Sequence, residues 1–144
     1  MTLGSRATRT VTVMGAPAQD RVGVLAVDDQ AIFLDVARDV VAATPGFSWV
    51  GGAMCGEEAL DAVGELGPEL VLMDVRMPGM DGIETAHRIC ESHPDTVVVL
   101  VSIEESPAIT SAIEASGAAA LVRKQELGPA MLRRLWLTYG KPDD

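Results

Sequence analysis

LVLMDVRMPGMDG, residues 70–82, decides the fold. It opens as an unbroken apolar run, stops at Asp74, and passes into a segment rich in Met, Pro and Gly. A continuous apolar run of this length marks a strand covered on both faces, as in parallel sheets with helices on either side. MPGMDG (77–82) has the composition of a turn. Ile83, Ala86 and Cys90 then recur at helical spacing until Pro94. The unit is therefore a buried strand, a polar tip and a following helix.

The same unit recurs on both sides. Upstream, VGVLAV (22–27) ends in Asp28 and Asp29, and Ile32, Phe33, Val36, Ala37, Val40 and Val41 give a helical face up to Pro45–Gly46. FSWVGGAM (47–54) reads as a strand weakened by Gly51 and Gly52, and Ala59, Leu60, Val63 and Leu66 form the next helix face, closed by Gly67–Pro68. Downstream, TVVVLVS (96–102) is a strand, and Ser106–Pro107 are the N-cap and first turn of a helix carrying Ile109 and Ile113. AALVR (119–123) is the last strand, ending at Lys124. Leu127, Met131, Leu135 and Tyr139 stripe the last helix, with Leu132 and Trp136 beside them. Five strands alternating with five helices predict an α/β domain with a doubly wound parallel sheet. The expected strand order is 2-1-3-4-5, common for chains of this kind.

Composition narrows the function. The 144 residues fit one domain, expected over 21–140 with a flexible extension at 1–20 and a tail at 141–144. Val11 and Val13 alternate with threonines, the one hint of a strand in the extension. A net charge of −10 argues against direct nucleic-acid binding by this chain. No apolar run approaches the roughly eighteen residues of a membrane span, and no signal-peptide core follows Arg6 and Arg9. The expected location is cytoplasmic. Cys55 and Cys90 lie outside any Cys-x-x-Cys pattern and are expected to be buried free thiols.

The polar residues that end the strands carry the chemistry. In a parallel sheet all carboxyl ends share one edge, and ligands bind where the strand order reverses. With order 2-1-3-4-5 this gathers Asp28, Asp29 and Asp74, with Ser102 and Lys124 alongside. Three neighbouring carboxylates repel one another and take up protons or a cation. Hard oxygen donors of this number suit Mg²⁺, which keeps waters for phosphate oxygens. Lys124 offers a positive charge to a phosphate oxygen, Ser102 a hydroxyl donor, and an aspartate can serve as nucleophile to phosphorus. Taken singly, each residue has a plain reading as a cap, a strand end or a solvated lysine; all of them at successive strand ends do not.

With these residues in hand, the chain resembles the receiver domains of two-component response regulators, the CheY-like superfamily with a flavodoxin-like fold. VLAVDDQ, PELVLMDVRMPGMDGIE, VVVLVS and GAAALVRK carry the resemblance, which covers about residues 21–139. It implies that Asp74 is the phosphoacceptor, that Asp29 binds Mg²⁺ directly and Asp28 mostly through water, and that the Arg76 main-chain carbonyl completes the protein ligands. It implies Ser102 as the switch hydroxyl and Lys124 as the phosphate-pairing lysine. The donor would be a phosphohistidine on a sensor histidine kinase or phosphotransfer protein. The output would go to a protein partner or a second copy of the chain. On this reading the domain is no enzyme, although it catalyses its own phosphotransfer and dephosphorylation.

Three positions depart from the family pattern. Leu121 stands where Tyr or Phe is frequent, Gln125 replaces a proline after the lysine, and bulky Ile103 follows Ser102. Arg76 either shields the site or points to solvent. An alternative reading makes the chain the receiver part of a transcription regulator whose helix-turn-helix domain lies elsewhere. A second alternative, a Mg²⁺-dependent phosphohydrolase, is disfavoured because Arg76 occupies the place of its usual acid/base carboxylate. His87 and His93 are expected to face solvent rather than to carry phosphoryl groups.

Overall fold

The computed structural model describes residues 21–77, 79–103 and 106–140. The strand hint at Val11 and Val13 lies outside them. The elements follow the expected alternation: β1 (Val22–Val27), α1 (Ala31–Ala42), β2 (Phe47–Ala53), α2 (Gly56–Leu66), β3 (Leu70–Asp74), α3 (Gly82–Ser92), β4 (Val97–Ser102), α4 (Pro107–Ser116), β5 (Ala120–Arg123) and α5 (Pro129–Tyr139), with a 3₁₀ turn at Lys124–Glu126 before α5. All neighbouring strands pair in parallel, in the order β2-β1-β3-β4-β5. The ladder between β1 and β2 slips once: Val24 faces Trp49 and Leu25 faces Gly51, so Val50 is an extra residue on the edge strand.

The strands are apolar on both faces because each face packs against helices. On one side Leu25, Val71, Met73 and Leu100 meet Ala59 and Val63 of α2, Ala86 and Ile89 of α3, and Ile109 and Ile113 of α4. On the other, Val24, Leu70, Leu72 and Val99 meet Ala37 and Val41 of α1 and Leu132 and Leu135 of α5. Truncating one of the fully buried leucines to alanine costs about 2–5 kcal/mol. Local signals place the helix ends. Asp81 Oδ1 accepts from Glu84 N at 2.8 Å to cap α3, and Ser106 Oγ accepts from Ile109 N at 3.3 Å to cap α4. Gly117 closes α4 in the left-handed region, at φ 90°.

Some of the sequence expectations need correction. The apolar residues of α1 outnumber those it buries: Ala37 and Val41 are buried, but Ile32 is 78% and Val36 45% exposed. Tyr139 is exposed at the end of α5, and both cysteines are half-buried rather than buried. His87 is exposed as expected, whereas His93, the C-cap of α3, is half-buried. Among the described residues, no helix is long and apolar enough to cross a membrane.

Candidate functional site

Order reversal between β1 and β3 places the ends of these two strands side by side, and their acids converge. Asp28, Asp29 and Asp74 each offer a carboxylate oxygen, all within 4.8 Å of one another. Asp28 is fully buried. Its Oδ1 accepts from the Gln30 backbone N–H at 2.8 Å, an Asx turn that leads the chain from β1 into α1. Asp74 ends β3 and is 7% exposed. The Val75 N–H donates to Val101 O at 3.1 Å, which ties the loop after Asp74 to β4.

Lys124, first residue of the 3₁₀ turn after β5, reaches across β4 and β3 into this cluster. Its Nζ lies 2.6 Å from Asp28 Oδ2 and 3.6 Å from Asp74 Oδ1. The Lys124 ammonium lies against Asp28 Oδ2, a buried oxygen with no aligned hydrogen-bond donor, so a cation entering the cluster shares that oxygen with the lysine. Ser102 is buried at the end of β4 and lines the same open cleft of about 560 Å³ as Asp29, Asp74, Arg76 and Lys124. The cleft is apolar on one flank, where Ile32, Phe33, Val36 and Ile103 border it.

The acid cluster shifts the Asp74 carboxyl. Burial, first, and then the Asp28 charge push its pKa up from 3.8 to about 6; the Lys124 ammonium and a hydrogen bond from the Arg76 backbone N–H pull it back, and Asp29 adds a smaller upward push. A divalent cation answers the same excess of negative charge. The donor set, three carboxylates with hard oxygens within 4.8 Å of one another, fits Mg²⁺.

α3 packs against the site strand at very short range. Gly82 N donates to Val75 O at 3.0 Å, and a Cβ at Gly82 would fall inside the Asp74 carbonyl oxygen. The glycine in MPGMDG is therefore required by this close approach of helix to strand tip.

Of the residues singled out from sequence at the strand ends, Asp29, Asp74, Ser102 and Lys124 line this cleft, and Asp28 is fully buried against Lys124. Two contacts went unread. The Phe33 ring lies under the Lys124 ammonium, 4.6 Å from Nζ to centroid, and the Gln125 amide donates to Ile103 O at 3.4 Å. Phe33 stands in the first turn of α1, and nothing in its spacing along the chain marks a contact with Lys124. Nothing in sequence links Gln125 to a residue 22 positions away.

The doubly wound sheet, the acid cleft at its switch point and the lysine across it place the chain among α/β domains whose site lies at the carboxyl ends of the strands. The family model for the response regulator receiver domain matches residues 24–135, and the chain belongs to that family. The protein-glutamate methylesterase/protein-glutamine glutaminase 4 of Geobacter metallireducens is 41% identical over 110 residues, 74% of this chain and 32% of that protein. The response regulator GacA of Pseudomonas viridiflava is 42% identical over 96 residues, 66% of this chain and 45% of GacA. The crystal structure of the response regulator domain of Thermotoga maritima CheB superposes with a TM-score of 0.74 at 31% identity, over 81% of this chain and 95% of that one. The chain thus spans between about a third and just under half of the curated relatives it matches.

Proposed function

We propose that Asp74 accepts a phosphoryl group from a phosphohistidine of a sensor histidine kinase or phosphotransfer protein. The observation that carries this reading is the buried Asp74 carboxylate facing two further acids with the Lys124 ammonium 3.6 Å away. Asp28, Asp29 and Asp74, with the Arg76 main-chain carbonyl, would hold Mg²⁺, which supplies charge neutralisation for the phosphoryl oxygens.

The chain's own groups do the rest. An Asp74 oxygen attacks phosphorus of a phosphohistidine that carries a proton on its other ring nitrogen; the P–N bond breaks, the released nitrogen keeps the electron pair, and neutral imidazole leaves. The Lys124 ammonium moves from Asp28 to a phosphoryl oxygen, and the Ser102 hydroxyl donates to another. Movement of Ser102 and its loop would alter the surface read by a downstream protein or a second copy of the chain. The acyl phosphate is later lost to water within the same cleft, so the domain acts on itself and needs no separate substrate turnover. A cytoplasmic setting accords with this chemistry.

A second reading, a receiver joined to a DNA-binding output, draws support from the similarity to the transcriptional regulatory protein DegU of Brevibacillus brevis, 25% identical over 114 residues, of which the matched segment is 48%. Nucleic-acid contact would then belong to a segment outside these residues, in keeping with the net charge of −10.

The test is incubation with acetyl phosphate and Mg²⁺, followed by intact-mass measurement. One phosphoryl adduct is expected on the wild-type chain and none on Asp74→Asn. Equal labelling of the variant would move the acceptor elsewhere.

A further inference from the structure

Phe33 is one of only two phenylalanines in the chain, and its ring touches the cleft rather than only the core. The Lys124 Nζ lies 4.6 Å from the ring centroid, within cation–π range. The same ammonium is held 2.6 Å from Asp28 Oδ2. The ring and the carboxylate belong to one short piece of backbone. Asp28 Oδ1 binds Gln30 N at 2.8 Å, and Phe33 N donates to Gln30 O at 3.0 Å. Their spacing is therefore fixed by the first turn of α1. The Lys124 side chain is only 16% exposed, so the aromatic face stands where water would otherwise solvate the cation.

We propose that Phe33 is a positioning residue whose ring holds the Lys124 ammonium at the place from which it meets the phosphoryl group on Asp74. The proposal rests on the reading of Lys124 as the phosphoryl-pairing lysine. A lysine side chain is a long flexible stem and loses much freedom when it is fixed. A carboxylate alone holds it from one side. The ring, with its negative face toward the ammonium, holds it from another and leaves Nζ 3.6 Å from Asp74 Oδ1. When the phosphoryl group arrives, the cation exchanges Asp28 for a phosphoryl oxygen and needs only a short movement. Leucine at position 33 would fill much of the same space but has no quadrupole, so packing and positioning can be separated.

The experiment is a double-mutant cycle on the full chain. Phosphorylation by acetyl phosphate with Mg²⁺ is followed by intact mass for wild type, Phe33→Leu, Lys124→Met and the double variant, with Phe33→Tyr as the conservative replacement. This small donor needs no docking surface, so lost partner contacts do not enter. Phe33→Leu is expected to slow phosphorylation about three- to tenfold, and Phe33→Tyr to stay within about twofold of wild type. In the Lys124→Met background, Phe33→Leu should have no further effect. An undiminished effect in that background, or wild-type kinetics for Phe33→Leu, overturns the Phe33 role alone. Wild-type kinetics for Lys124→Met overturns the underlying role of the lysine and this proposal with it.

A second measurement needs no variant. The chain has two lysines, Lys124 and Lys141, so their side-chain proton resonances are readily distinguished. The Lys124 methylene protons next to Nζ should lie upfield of those of Lys141 through the ring current of Phe33. Coincident shifts for the two lysines would overturn the proposal even if Phe33→Leu failed to fold.

Discussion

Lys124 Nζ sits closer to Asp28, at 2.6 Å, than to Asp74, at 3.6 Å. The lysine thus neutralises the most buried acid of the cleft, and a divalent cation must share that acid with it. The two positive charges repel through a medium far less polar than water. Replacing Lys124 by Met is expected to tighten Mg²⁺ binding about three- to tenfold, allowing for water in the open cleft. Isothermal titration gives the answer, and weaker binding by the variant would mean that the lysine organises the metal site instead of competing with it.

The raised Asp74 pKa makes stability depend on pH. The carboxyl holds its proton more tightly in the folded chain, to about pH 6, than in the unfolded one, at about 3.8. Its contribution to stability is therefore full below pH 3.8 and is lost as pH rises through 6. The loss is at most about 3 kcal/mol. Melting in EDTA should show the apo protein declining in Tm between about pH 4 and 7 relative to Asp74→Asn, which lacks the titrating group. Adding Mg²⁺ at neutral pH should restore wild-type stability more than it does at pH 4, where protons occupy the site. An identical pH slope in wild type and Asp74→Asn would refute the assignment.

Two glycines should respond oppositely to alanine. At Gly82 a Cβ meets the Asp74 carbonyl oxygen and the Val75 Cα, both backbone atoms, so α3 must move away from the strand tip. Gly82→Ala is expected to cost about 2–4 kcal/mol in urea unfolding and to slow phosphorylation as well. Gly64, exposed within α2, has nothing within 4 Å of an added Cβ. Gly64→Ala should stabilise by about 0.5–1 kcal/mol through helix propensity.

Ile103 borders the cleft that Asp74 opens into and is itself 63% exposed. A side chain in that position restricts the approach of water to an acyl phosphate. Ile103→Ala should shorten the half-life of the phosphorylated protein several-fold, with phosphorylation by acetyl phosphate no slower. A half-life equal to wild type would show that its bulk does not gate hydrolysis.

The strand tips were legible because the chain writes each one as an apolar run cut off by a polar residue. Asp28, Asp74, Ser102 and Lys124 needed only a parallel sheet to bring them to one edge. The pairing of Lys124 with Asp28 was not legible, because spacing along the chain does not say which of three acids a flexible lysine will reach. Periodicity also misjudged α1. Ile32 and Val36 share the apolar stripe with Ala37 and Val41, but they are exposed and border the cleft instead of the core. Phe33 was read as core for the same reason: an apolar residue at helical spacing carries no mark of what its face will meet.

The extra residue at Val50 has a bearing on solubility. Among the described residues β2 is an outer strand, paired on one side, and straight outer strands invite neighbouring molecules to add on and grow into fibres. The slip between Trp49 and Gly51 kinks the strand at its middle, so an incoming chain could match only half of it at a time. Deleting Val50 to straighten the strand should leave a protein that aggregates at concentrations where the natural chain stays dispersed.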